Sequence, residues 1–151
     1  MYEETVKNLL TEEKWTRTTI LNYSIGNFQE LDETIAPIVS TDDQIEVKNL
    51  CEEHLLRNKN SIIALYISGS ISLKRHSLDY SNLSTLVDMF VDAKKWNIVE
   101  FLALKILKQT EDKYVLRVLA DCYEKLGKED EKFAIYERLV KVDYDETVLT
   151  Q

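Results

Sequence analysis

The sequence predicts an all-α fold of paired antiparallel helices, and three observations predict it. Only 3 Gly and 1 Pro occur in 151 residues, whereas a β-sandwich or barrel needs a turn signal about every 8–12 residues. Leu, Ile, Lys and Glu dominate the composition, which on balance favours helix. Apolar residues recur at three- and four-residue spacing along most of the chain, and no segment shows convincing period-two alternation.

Val6, Leu9 and Leu10 suggest an early helix running into a second over Thr11–Asn22, where Glu12-Glu13 suit a helix N-terminus. Ser24-Ile25-Gly26-Asn27 reads as a break, Gly26 permitting the turn and Asn27 capping the next helix. Phe28, Leu31, Ile35 and Ile38 then share one helical face, which Pro37 should end or kink. Thr41-Asp42-Asp43-Gln44 has capping-box spacing. Ile45, Val47, Leu50, Cys51, His54 and Leu55 come after it, up to the polar stop Arg57-Asn58-Lys59-Asn60.

A strongly apolar helix begins at Ser61. Its Ser68-Gly69-Ser70 is small enough to let another helix pack close, and Lys74-Arg75-His76 closes it at the negative dipole end. Leu83, Leu86, Val87 and Phe90 make the next face, ended by Lys94-Lys95. Trp96–Leu107 and Tyr114–Leu126 are the following helices, the latter stopped by Gly127 in the usual left-handed position. Phe133, Tyr136, Leu139 and Val140 define the last complete helix. Asp145-Glu146-Thr147-Val148-Leu149 reads as the start of a further one, and the natural polypeptide is expected to continue past Gln151.

The pairs repeat. Shifted by 33, Leu83, Leu86, Val87 and Phe90 meet Leu116, Leu119, Ala120 and Tyr123, and Ile106-Leu107 meet Leu139-Val140. A weaker copy lies 36 residues earlier at Val47, Leu50, Cys51 and His54. A period near 34 with two helices per unit is the tetratricopeptide signature. Leu119-Ala120-x-x-Tyr123, Gly127 and Tyr136 resemble its consensus; Lys132 departs from the expected small Ala, and Asp143-Tyr144 stands where Asp-Pro is usual. The expected architecture is therefore a tetratricopeptide-like right-handed solenoid within one domain, 1–151, of units at about 11–39, 41–74, 79–108 and 111–142. One pair cannot bury its own apolar face; stacked pairs share a continuous core. In such a stack the first helix of each pair lines the concave surface. Lys48, Glu52, Leu55, Ser84, Asp88, Tyr114, Arg117, Asp121 and Lys125 then become the candidate partner-binding residues.

Composition excludes several functions. The net charge is −8, with net −6 over residues 1–50, +2 over 51–110 and −4 over 111–151. Long-range attraction to nucleic acid or an anionic membrane is not expected from such a chain. No apolar run reaches the ~18–20 residues of a membrane span. Cys51 and Cys122 read as reduced, buried thiols of a cytoplasmic protein. Cys51 and His54 stand at i, i+3, but both fall on core positions of the repeat, and zinc would need four ligands. Gly26, Gly69 and Gly127 are too scattered for a phosphate loop or a nucleophile elbow. The acidic pairs Glu12-Glu13, Asp42-Asp43 and Asp145-Glu146 sit near helix starts, where the macrodipole accounts for them. No catalytic, cofactor or metal residue is identified, and the chain reads as a non-enzyme.

Four segments carry a family resemblance: Glu12-Glu13-Lys14-Trp15-Thr16-Arg17, Lys59-Asn60-Ser61-Ile62-Ile63-Ala64-Leu65-Tyr66, Lys95-Trp96-Asn97-Ile98-Val99-Glu100-Phe101-Leu102 and Tyr136-Glu137-Arg138-Leu139-Val140-Lys141-Val142-Asp143-Tyr144. Together they resemble the long N-terminal extension found on some bacterial GreA-type transcription elongation factors, and the similarity covers nearly all of the chain. The resemblance implies a role at RNA polymerase. Such factors insert a coiled coil with an acidic tip into the polymerase's secondary channel and help a magnesium ion cleave backtracked RNA, while a C-terminal globular domain docks on the polymerase. Neither part is identifiable in this sequence, so no catalytic residue of the family carries over. Asp42-Asp43 opens a repeat helix and is not that tip. The expected role is a non-catalytic, protein-binding domain of such a factor, which reaches RNA polymerase through the full-length chain. The alternative is a free-standing tetratricopeptide-like adaptor.

Overall fold

A computed structural model of the chain describes residues 2–12, 24–40, 42–75 and 79–150. The described residues form eight helices and no strand: α1 Glu3–Glu12, α2 Ile25–Val39, α3 Gln44–Arg57, α4 Ile62–Arg75, α5 Ser81–Asp92, α6 Trp96–Leu107, α7 Lys113–Leu126 and α8 Glu129–Thr150. The all-α fold is as the composition and spacing predict. The chain divides into two compact units, Met1–Lys95 and Trp96–Gln151. The boundary falls between the two helices of the sequence repeat at 79–108.

The first unit is organised around α4. Every residue from Ile62 to Leu73 is buried, and α1, α2, α3 and α5 all pack against this helix. A helix covered on all sides must be apolar all round or carry small, self-satisfied polar groups. Ser61 caps it, its Oγ accepting from the Ala64 N–H at 3.1 Å. The Ser68 hydroxyl donates to the Ala64 carbonyl at 2.7 Å and accepts from the Asn82 amide at 2.8 Å. Gly69 does what its size predicts: a Cβ there would lie 2.8 Å from Leu83 Cγ and 3.1 Å from the Leu83 backbone nitrogen, so α5 crosses α4 at this point. Phe28 of α2, Tyr66 of α4 and Phe90 of α5 meet edge to face, with centroids 4.8 Å apart for Phe28–Tyr66 and 5.8 Å for Phe28–Phe90. The buried Tyr66 hydroxyl donates to Asp32. Burial pushes its phenol far above the ordinary range, and the bond and charge of Asp32 add to that.

Several local features depart from expectation. Gly26 does not make a turn, because α2 already begins at Ile25. Ser24, not Asn27, is the cap. The Asn27 N–H donates to Ser24 Oγ and the Ser24 N–H to Asn27 Oδ1, both at 3.1 Å, a reciprocal box with Asn in the third position. The box expected at Thr41–Gln44 is replaced by a start at Gln44 with Asp43 at the cap position, where its side chain makes no capping bond; Thr41 lies outside the described residues. Gln44 occupies the first helical position, too early in the turn to reach back to a cap. Pro37 sits within α2, which ends at Val39; a proline this near the C-terminus removes only one of the last ladder bonds. The helix expected over Thr11–Asn22 lies outside the described residues beyond Glu12.

The helix stops of the repeat are both left-handed. At the end of α7 the Lys128 N–H donates to the Tyr123 carbonyl at 2.9 Å and Gly127 to Glu124 at 3.2 Å, with Gly127 at φ 73°. At the end of α5 the Lys95 N–H donates to Phe90 and Lys94 to Val91, each at 2.9 Å, with Lys94 at φ 59°. These are the two bonds of a Schellman stop, and the residues at positive φ, Lys94 and Gly127, stand 33 positions apart. A side chain in this conformation is strained by about 1–2 kcal/mol, partly offset in glycine by its looser unfolded chain. Lys94→Gly is therefore expected to raise stability by about 1 kcal/mol and Gly127→Ala to lower it by about as much, both read from urea midpoints. Equal and unshifted midpoints would remove the stop as the element the repeat shares.

In the second unit α7 packs on α6 and α8 on α7. Asp112 caps α7, its carboxylate accepting from the Val115 N–H at 2.9 Å. The core is Ile98, Val99, Leu102, Ala103, Ile106 and Leu107 of α6 with Val115, Leu116, Leu119, Ala120, Cys122 and Tyr123 of α7. The new helix expected at Asp145 is instead the unbroken continuation of α8 to Thr150. With Tyr144 in place of the usual proline, nothing interrupts the hydrogen-bond ladder there. Of the residues that define this helix in the sequence, Phe133, Tyr136 and Val140 are 58%, 42% and 68% exposed; among the described side chains of α8, Ile135 is buried.

Candidate interaction surfaces

The nine residues expected to face partners fall on three helices in two units. In the first unit Lys48, Glu52 and Leu55 share a face of α3, and Lys48 Nζ stands 3.7 Å from Glu52 Oε1. Leu55 is half-buried. On α5 Ser84 is half-buried and Asp88 exposed. In the second unit Tyr114, Arg117, Asp121 and Lys125 are all exposed on one face of α7.

The extension of α8 changes the charge of that α7 face. It brings Asp143 to within 2.6 Å of Lys113 Nζ. The hydrogen bond from Lys113, followed by the positive charges of Lys113 and Arg117, holds the Asp143 carboxyl below its usual range. Arg138 pairs with Glu111 at the same end of the helix pair. Arg117 thus already has a carboxylate in its field, while Asp121 and Lys125 stand exposed one and two turns farther along.

A cleft that the repeat pattern does not reveal lies between α1 and α3. Its volume is about 530 Å³, and Lys7, Leu10, Thr11, Leu50, Glu53, His54, Arg57 and Asn58 line it. Leu10 and Leu50 give it apolar wall, and among the described residues that line it Lys7, Arg57 and Glu53 carry charge. His54 therefore lines a cleft and is not a core imidazole as the repeat register suggests. Burial, then the neighbouring Arg57, lowers its pKa, so it is neutral at pH 7 and can both donate and accept. Within the cleft Arg57 stands 3.9 Å from Glu53. The cleft escapes sequence inspection because its walls lie some 40 positions apart and meet only through packing.

The environment of Cys122 disfavours its thiolate. Cys51 and Cys122 are both buried. Cys122 Sγ–H donates to the Trp96 carbonyl at 3.0 Å. Burial first, and the charge of Glu100 second, push its pKa up to about 12, which disfavours the nucleophilic thiolate. Glu100 itself is held by Lys128 at 3.0 Å. Among the described residues no group of three or more His, Cys, Asp or Glu could hold a metal ion. No described helix is long and apolar enough to cross a membrane.

Comparison with known proteins gives two curated relatives. The chain is 45% identical over 129 residues to a GreA-associated domains protein of Treponema pallidum, covering 85% of this chain and 20% of that protein. It is 35% identical over 148 residues to the transcription elongation factor GreA of Borreliella burgdorferi, covering 98% of this chain and 16% of that protein. The chain thus spans a fifth or less of the length of either relative. No family model matches it, and no solved structure matches it. At these identities over nearly its whole length, the chain is a GreA-related sequence, as its four resembling segments imply.

Proposed function

We propose that this chain is a non-catalytic protein-interaction domain of a GreA-type transcription elongation factor. The observation that carries this reading is the match over 98% of the chain to only 16% of a GreA elongation factor, joined to a structure of helices with exposed side faces. The full-length form binds RNA polymerase and promotes cleavage of backtracked transcripts through parts this segment does not contain. The segment works in the cytoplasm without a cofactor, and its partner is a protein.

The helix pairs stack as a right-handed tetratricopeptide-like solenoid in this reading. The matched stops at Lys94 and Gly127 support it, since equal units need equal turns. Lys48, Glu52, Leu55, Ser84, Asp88, Tyr114, Arg117, Asp121 and Lys125 present the concave face to the partner. The free-standing adaptor differs only in needing no polymerase.

The test adds the purified chain to stalled, backtracked elongation complexes. Transcript cleavage is expected to stay at its spontaneous rate, and stimulation by this chain would overturn the non-catalytic assignment. In parallel, pull-down with the chain fused to its native downstream sequence is expected to recover polymerase. Substituting Arg117 and Asp121 together by alanine should leave helicity intact and weaken the segment's own partner about tenfold, the scale of two or three lost polar contacts. Unchanged binding would remove the concave face from the proposal.

A further inference from the structure

We draw no further inference here: the strongest candidate, the cleft between α1 and α3 lined by Lys7, Leu10, Leu50, His54 and Arg57, carries none because nothing in the structure shows what covers it and its Arg57 already stands beside Glu53.

Discussion

Phe28→Ala should destabilise the Met1–Lys95 unit by about 3–5 kcal/mol, the range for emptying a buried phenylalanine site. Phe28 is fully buried. Its ring edges meet Tyr66 and Phe90, so it joins α2 to both α4 and α5. Removing it takes away the transfer energy of the ring, leaves a cavity that rigid helices close only in part, and breaks two edge-to-face contacts worth about 0.5–1.5 kcal/mol each. Small domains hold only about 5–15 kcal/mol in total, so the variant lies near the limit of folding. Phe28→Leu keeps most of the volume and should lose about 1–2 kcal/mol. Urea unfolding followed by circular dichroism measures both. A loss below about 1 kcal/mol for the alanine variant would mean that the aromatic cluster does not anchor α2.

The second large effect is a difference in sign between two identical substitutions. Glycine to alanine inside a helix ordinarily gains up to about 1 kcal/mol of propensity. At Gly26, in the first turn of α2, a Cβ would meet only Ser24 Oγ at 3.7 Å, an ordinary contact, so Gly26→Ala should be neutral or stabilising. At Gly69 the same methyl would lie 2.8 Å from Leu83 Cγ and 3.1 Å from the Leu83 backbone nitrogen. The leucine side chain can rotate away, but the backbone nitrogen moves only if α5 moves as a whole. Gly69→Ala should therefore cost about 1–3 kcal/mol, and Gly69→Val more. Comparing thermal midpoints of the two alanine variants settles the point. A stabilised Gly69→Ala would show that α4 and α5 are not in close contact.

Much of the helix layout is legible in the sequence. Trp96–Leu107 and the end of α7 at Gly127 match the structure because local chemistry fixes them: apolar spacing in one case, a left-handed glycine in the other. The small residues at Ser68-Gly69-Ser70 signal the close helix crossing that the structure contains. Lys94 is the counter-example. It adopts the left-handed stop that its repeat position demands, although lysine carries no local signal for it. The cap of α2 is ambiguous in the sequence because Ser24 and Asn27 can both serve, and composition cannot decide between two capping side chains three residues apart.

The candidate surfaces are less legible. The repeat register names the α7 face residue by residue, but not the approach of Asp143 to Lys113 and Arg117, because that depends on α8 running on past Val142. The cleft beside His54 depends on α1 and α3 meeting.

By itself the sequence determined the helical class, most helix positions and the kinship with GreA-type factors. Those properties reside in local propensity, spacing and residue identity. Only the tertiary structure decided which apolar faces are covered. Periodicity reports that Phe133, Tyr136 and Val140 share a side of α8, and the same periodicity describes Leu116, Leu119 and Tyr123 on α7. The α7 stripe is buried against a neighbouring helix, and the α8 stripe stands in solvent. Amphipathic spacing states that a helix has an apolar face; burial also requires a second surface to meet it, and that is a property of packing.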